Sequence, residues 1–198
     1  MSQLPMGLII GLGCALGGLL ILTLIILFSS RSNRRAEATW MTTAQKLGLN
    51  FTKKVFPTLT GRIDGVDVVA NVFVMSNSGP GFGSGKVRPR TYSRVSAKIP
   101  SAIPIQVISR RQRYGGKTEW PRHTTGKPDF DSHYEVFAPA DVNLNDLLPV
   151  TARVALNNTD LPVHIINNAV LWSRVRMIRD PTLLENAILT CTRIAACF

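Results

Sequence analysis

The pattern of hydrophobic and polar positions divides this chain in two. From Gly7 to Phe28 it is apolar and uncharged, and the run stops at Ser29, Ser30, Arg31, Ser32, Asn33, Arg34 and Arg35. Beyond that point apolar residues recur at the two-residue and three-to-four-residue spacings of strands and helices. At about 1.5 Å per residue the run makes a helix of roughly 33 Å, enough for a hydrocarbon core of about 30 Å. The sequence therefore predicts a short N-terminal tail over 1–6 and a transmembrane helix over 7–28. No charged side chain precedes the run, whereas Arg31, Arg34 and Arg35 follow it, and such asymmetry predicts a domain on the cytoplasmic side. The run lacks a positive n-region and a small-residue cleavage site, so it reads as an uncleaved anchor. A lipoprotein reading at Cys14 fails, because Gly11 stands where an aliphatic residue is expected. Gly7 and Gly11, then Gly13 and Gly17, are spaced for close helix approach, which makes a homodimer an expectation.

The remainder reads as a basic juxtamembrane segment and linker helix over 29–48 and a soluble domain over 49–198. Trp40, Ala44 and Leu47 recur at helical spacing, and Gly48 is placed to end that helix. Leu59 to Ile63, Asp64-Gly65 and Val66 to Val74 predict a hairpin. Thr91 to Ile99 and Ile103 to Ser109 have strand character, and Phe130, Tyr134, Val136 and Phe137 begin another strand. A helix is predicted from Asp146 to Leu156, and a second hairpin turns at Asn167-Asn168. The strongest helix of the domain has Asp180 as cap, Pro181 at its first position, and Leu184, Ala187, Ile188, Cys191, Ile194, Ala195 and Phe198 on one stripe. Polar, Gly-rich stretches over 76–90 and 110–128 read as loops. The expected fold class is α+β: an N-terminal transmembrane helix, then one antiparallel-sheet domain, or partial barrel, with a packed C-terminal helix.

Charge changes this picture more than composition does. The net charge of +11 lies wholly in the soluble part, since Met1 to Ser30 contain no acid or base. Lys86, Arg88, Arg90, Arg94, Lys98, Arg110, Arg111, Arg113, Lys117, Arg122 and Lys127 are eleven cations set against the single acid Glu119. At a cytoplasmic leaflet such a patch would meet anionic lipid headgroups, or else an acidic protein. Nucleic acid ranks below these: Tyr92, Tyr114 and Trp120 could stack on bases, but no named nucleic-acid motif is present.

Catalytic and cofactor constellations are weak. Gly79, Gly81, Gly83, Gly85 and Lys86 suggest a phosphate loop, but Pro80 and Val87 occupy positions where it needs glycine and Ser or Thr. His123, Asp129, Asp131, His133 and Glu135 carry metal-ligand chemistry, with Asp131, His133 and Glu135 expected on one strand face. They supply the rival reading, a metal-dependent or other enzyme domain using His123, Asp131 and His133. His164, between Val163 and Ile165, reads as structural. The three cysteines, Cys14, Cys191 and Cys197, form no disulfide framework and suit a reducing compartment. No catalytic residue, resident metal or cofactor is assigned.

Trp40, Ala44, Leu47-Gly48-Leu49 and Phe51, then Gly61, Asp64-Gly65 and Val68, then Gly126, Phe130-Asp131, Tyr134 and Val136 form a spaced pattern, WxxxAxxLGLxF, GxxDGxxV and GxxxFDxxYxV. This pattern resembles one in uncharacterised membrane-anchored bacterial proteins. The resemblance implies a bacterial source and an anchor-plus-domain layout, with no activity or site residues attached. The combined expectation is a single-span, non-enzymatic interaction or scaffold module of the bacterial inner membrane, its basic domain in the cytoplasm.

Overall fold

A computed structural model describes residues 34–53, 55–75, 89–112, 118 and 120–198. The first described element is helix α1, over 34–47. Ala36, Trp40, Thr43 and Ala44 fall on one face of it and are buried, while Arg34 and Arg35 in its first turn are exposed. It ends as its sequence requires: Gly48 adopts φ +67°, and the Leu49 amide then donates to the Ala44 carbonyl at 2.9 Å.

Nine strands follow in one sheet: β1 (Asn50–Lys53), β2 (Pro57–Ile63), β3 (Val66–Met75), β4 (Arg90–Lys98), β5 (Gln106–Ser109), β6 (Arg122–His123), β7 (Tyr134–Phe137), β8 (His164–Ile166) and β9 (Ala169–Val175). Their order is β1-β2-β3-β4-β9-β8-β5-β7-β6, and every strand pair is antiparallel. Both expected hairpins form. Asp64 and Gly65 turn at φ +49° and +81°, and Asn167 and Asn168 at +52° and +57°, the left-handed pair that matches strand twist. Val66, Val68, Ala70 and Val72 on β3, with Val95 and Ala97 on β4 and Val170 and Trp172 on β9, alternate into the core.

The remaining helices are α2 (Pro128–His133), α3 (Leu144–Leu147), α4 (Val150–Asn157) and α5 (Pro181–Ala195). Helix α5 lies across β3, β4 and β9 and buries Leu184, Ala187, Ile188, Cys191, Ile194 and Ala195. The Asp180 carboxylate caps it, accepting from the Thr182 and Leu183 amides at 2.9 and 3.3 Å. Burial pushes the Cys191 thiol up to about 12, so it acts as a small apolar side chain.

The structure corrects the expected fold class and, with it, the membrane placement. Among the described residues no helix is long and apolar enough to cross a membrane. Helices α1 and α5 each bury one stripe and expose polar residues, and α4 buries Ala152 and Leu156 while exposing Val150, Thr151, Val154 and Asn157. The transmembrane helix expected over 7–28 lies outside the described residues, as do Gly7, Gly11, Gly13, Gly17, Cys14 and Arg31. What the structure supports is α+β content built on one sheet; the single-pass anchor and the inner-membrane location with a cytoplasmic domain are not supported. Strands β1 and β6 stand at the two edges of that sheet.

Two local expectations also change. Residues 128–133 form α2 where a strand was expected, because Pro128 presets the backbone of a first turn. The helix expected from Asp146 to Leu156 is split into α3 and α4, since Pro149 drives the residue before it, Leu148, out of helical geometry, to φ −125° and ψ 84°.

Candidate anion-binding groove

Strand β4 sits between β3 and β9, and its alternation sorts its residues between two faces. Ser93, Val95 and Ala97 are buried against the core, so Arg90, Tyr92, Arg94, Ser96 and Lys98 share the opposite face. Three of the predicted patch cations therefore stand in a row on one strand, and all three are exposed. The β3 register puts Met75 opposite Arg90, Phe73 opposite Tyr92 and Asn71 opposite Arg94. The Phe73 and Tyr92 rings stack with centroids 5.6 Å apart and planes at 20°. The Arg94 guanidinium lies 5.1 Å from the Phe73 centroid, and its Nε donates to Asn71 Oδ1 at 3.3 Å.

At the Arg90 end of this row the chain leaving β9 builds a groove of about 1000 Å³. Arg90, Arg174, Arg176 and Arg179 line it, together with Asp180. The segment that carries the last two arginines is fixed at successive residues. Ser93 Oγ donates to the Arg176 carbonyl and accepts from the Ile178 amide, both at 3.0 Å. The Arg176 amide donates to the Thr91 carbonyl at 2.6 Å, and Trp40 Nε1 donates to the Ile178 carbonyl at 3.0 Å. Thr39 Oγ1 donates to the Arg179 carbonyl at 2.9 Å. Arg176 itself is held at φ +76°, a conformation that costs a non-glycine residue about 1–2 kcal/mol. Four cations thus project from a braced backbone, and among the described residues none of them is in an ion pair. The one carboxylate in the groove, Asp180, is already committed to capping α5.

The other described members of the predicted patch are elsewhere. Arg110 and Arg122 converge on Glu135, at 3.5 and 3.4 Å, near the β6 edge of the sheet. Arg111 Nη1 donates to the Thr159 carbonyl at 3.4 Å, and its charge opposes the burial that raises the Tyr134 phenol to about 12. Lys127 precedes α2 as its N-cap residue. The predicted single patch is therefore two clusters, one ion-paired to Glu135 and one whose single carboxylate, Asp180, caps α5. Lys86, Arg88, Arg113 and Lys117 lie outside the described residues. Sequence reasoning missed Arg174, Arg176 and Arg179, because they follow the basic stretch by some fifty residues; the signal lay in the hairpin that returns them to the end of β4.

The expected metal-ligand set does not converge. Asp131 Oδ1 accepts from the Thr125 amide and hydroxyl, at 3.1 and 2.9 Å. His123 Nε2 lies 3.0 Å from the Ala138 carbonyl, and His133 Nδ1 lies 2.9 Å from the Asp129 carbonyl. Asp131 and His133 are on α2 rather than on a strand face with Glu135, and among the described residues no group of three or more ligand side chains could hold a metal ion. No protein-family description matches the chain, and no curated protein or solved structure is significantly similar to it.

Proposed function

We propose that this chain is a binding module for an anionic polymer, which it holds in the groove of Arg90, Arg174, Arg176 and Arg179. The observation that carries the reading is the absence, among the described residues, of any carboxylate paired to these four side chains, although they line one cavity. Four like charges on one groove repel one another, and that repulsion is relieved when an anion enters. Arginine suits the task because its guanidinium stays charged and presents a planar fork to phosphate, sulfate or carboxylate. The net charge of +11 adds long-range attraction and faster encounter.

The test is binding of fluorescent polyphosphate to the full-length chain over a salt series. The expected result is affinity that falls steeply with salt and is lost in the double variant Arg174→Glu/Arg179→Glu. Arg110→Glu, in the cluster that already contains Glu135, should change affinity less than about twofold, as expected where charge is locally compensated. Equal binding by the groove variant and the native chain would overturn the reading, and so would binding indifferent to salt.

A further inference from the structure

Resting on that reading, we infer that the polymer is single-stranded nucleic acid, whose bases stack on the Phe73–Tyr92 pair while its phosphates follow the arginines of the groove. The two features adjoin at the Arg90 end of β4, although Arg174, in register with Ser93, stands on the other face of the sheet. Arg90 and Tyr92 share a face of β4 two residues apart, about 7 Å along the strand, and the Arg176 backbone is bridged to Tyr92 in parallel register. A phosphate held at Arg90 or Arg176 therefore places the adjoining base over the aromatic pair.

The composition of this face favours bases over a simple polyanion. Phe73 and Tyr92 are only half-buried, and beside them Val69, Met75 and Val175 are 40 %, 47 % and 47 % exposed. A polyphosphate gains nothing from an apolar, aromatic surface rimmed by arginines. A single strand gains on both counts, because every base has a π-face and every link a charge. Arg94, already against the Phe73 ring, extends the surface with a guanidinium plane on which a base can also lie. Across β2, β3, β4 and β9 the only acid is Asp67, and Arg62 neutralises it at 3.0 Å. A duplex is the wrong ligand, since its bases are stacked on one another and present only edges and backbone to a sheet face.

The experiment compares three fluorescent ligands of equal length on the full-length chain at one salt concentration: oligodeoxythymidine, the same backbone made abasic, and duplex DNA. The expected order is oligodeoxythymidine tightest, ahead of both others by about tenfold, within the roughly 5- to 150-fold that one stacked base contributes. Tyr92→Leu should remove most of that advantage while leaving abasic binding within twofold, and Tyr92→Phe should restore it. If Tyr92→Leu does not fold, the three-ligand order on the native chain decides alone. Equal affinity for the thymidine and abasic strands, or preference for duplex, overturns the nucleic-acid inference and leaves the anionic-polymer reading standing. Failure to bind any of the three ligands, or polyphosphate, overturns both.

Discussion

The molecule has two arginine clusters on one sheet, and they differ in what surrounds the charge. At the β6 edge Arg110 and Arg122 share Glu135 within 3.5 Å. At the β4–β9 end Arg90, Arg174, Arg176 and Arg179 share a groove whose one carboxylate is spent on a helix cap. Formal charge is similar in kind at both places, but only the second cluster can gain much by meeting an external anion. The difference shows that a count of cations along a sequence measures solubility and attraction at a distance, whereas a binding site depends on which carboxylates the fold brings within reach.

The comparison is broken most strongly at the brace beneath the groove. Ser93 is fully buried, and its hydroxyl serves the Arg176 carbonyl and the Ile178 amide at once. Ser93→Ala leaves both backbone groups without that partner at nearly unchanged volume, a loss of about 1–3 kcal/mol in stability. Denaturant unfolding should show it as a lower midpoint with an unchanged slope. Polyphosphate affinity should fall too, because Arg176 and Arg179 lose the contact that fixes their backbone, while the Arg110–Glu135–Arg122 cluster is untouched. Unaltered stability would mean that the groove is not held from below.

The two parts of the sheet that carry these clusters meet across a thin seam. Strands β5 and β8 are joined by the single register pair Val107 and Ile165, reinforced by the Ser109 amide donating to His164 Nδ1 at 3.1 Å. An accepting Nδ1 requires neutral imidazole with its proton on Nε2, and burial lowers the His164 pKa below its ordinary value. The unfolded chain therefore binds this proton more readily than the folded one. The stability that His164 contributes is complete above about pH 6.5 and is lost as pH falls through the lowered folded value, at no more than about 1.4 kcal/mol per pH unit for one proton. His164→Asn, which keeps an acceptor but does not titrate, should flatten the acid side of a thermal-stability profile between pH 7 and 5. An acid limb of the same slope in the variant would place the titration elsewhere.

How much of this was legible in the sequence depends on the range of the interaction that decides each element. Both hairpins and α5 were readable because Asp64-Gly65, Asn167-Asn168 and Asp180-Pro181 each specify a local backbone. Residues of the spaced motif do structural work. Trp40 braces Ile178, the Tyr134 hydroxyl donates to the Leu156 carbonyl at 2.9 Å, and a Cβ at Gly61 would come within 2.8 Å of the Leu49 side chain. Such a motif specifies a core, which is why it carried no site. The groove was not legible, because Arg90 and Arg174, eighty-four positions apart in the chain, line one cavity only once β4 pairs with β9, which sets Arg174 opposite Ser93. The partition of the basic patch was hidden for the same reason, since it depends on Glu135 crossing to Arg110 and Arg122.

The smallest expected effect is also the most direct trial of the comparison. Glu135→Gln removes the carboxylate charge between Arg110 and Arg122 while keeping the side chain's size and one acceptor oxygen. The Glu135 side chain is 33 % exposed, and Arg110 and Arg122 are more so, so its ion pairs are screened and the change in stability should stay below about 1 kcal/mol. If missing carboxylates are what make an arginine cluster a binding site, the variant should acquire a second, weaker polyphosphate site, and the salt dependence of binding should steepen by roughly one counterion for each arginine released. Combining Glu135→Gln with Arg174→Glu/Arg179→Glu separates this new site from the native groove. Polyphosphate binding in that triple variant, weak but salt-dependent, would show that neutralisation by Glu135 silences the β6-edge cluster; its absence would mean that a braced backbone and a concave groove matter more than uncompensated charge.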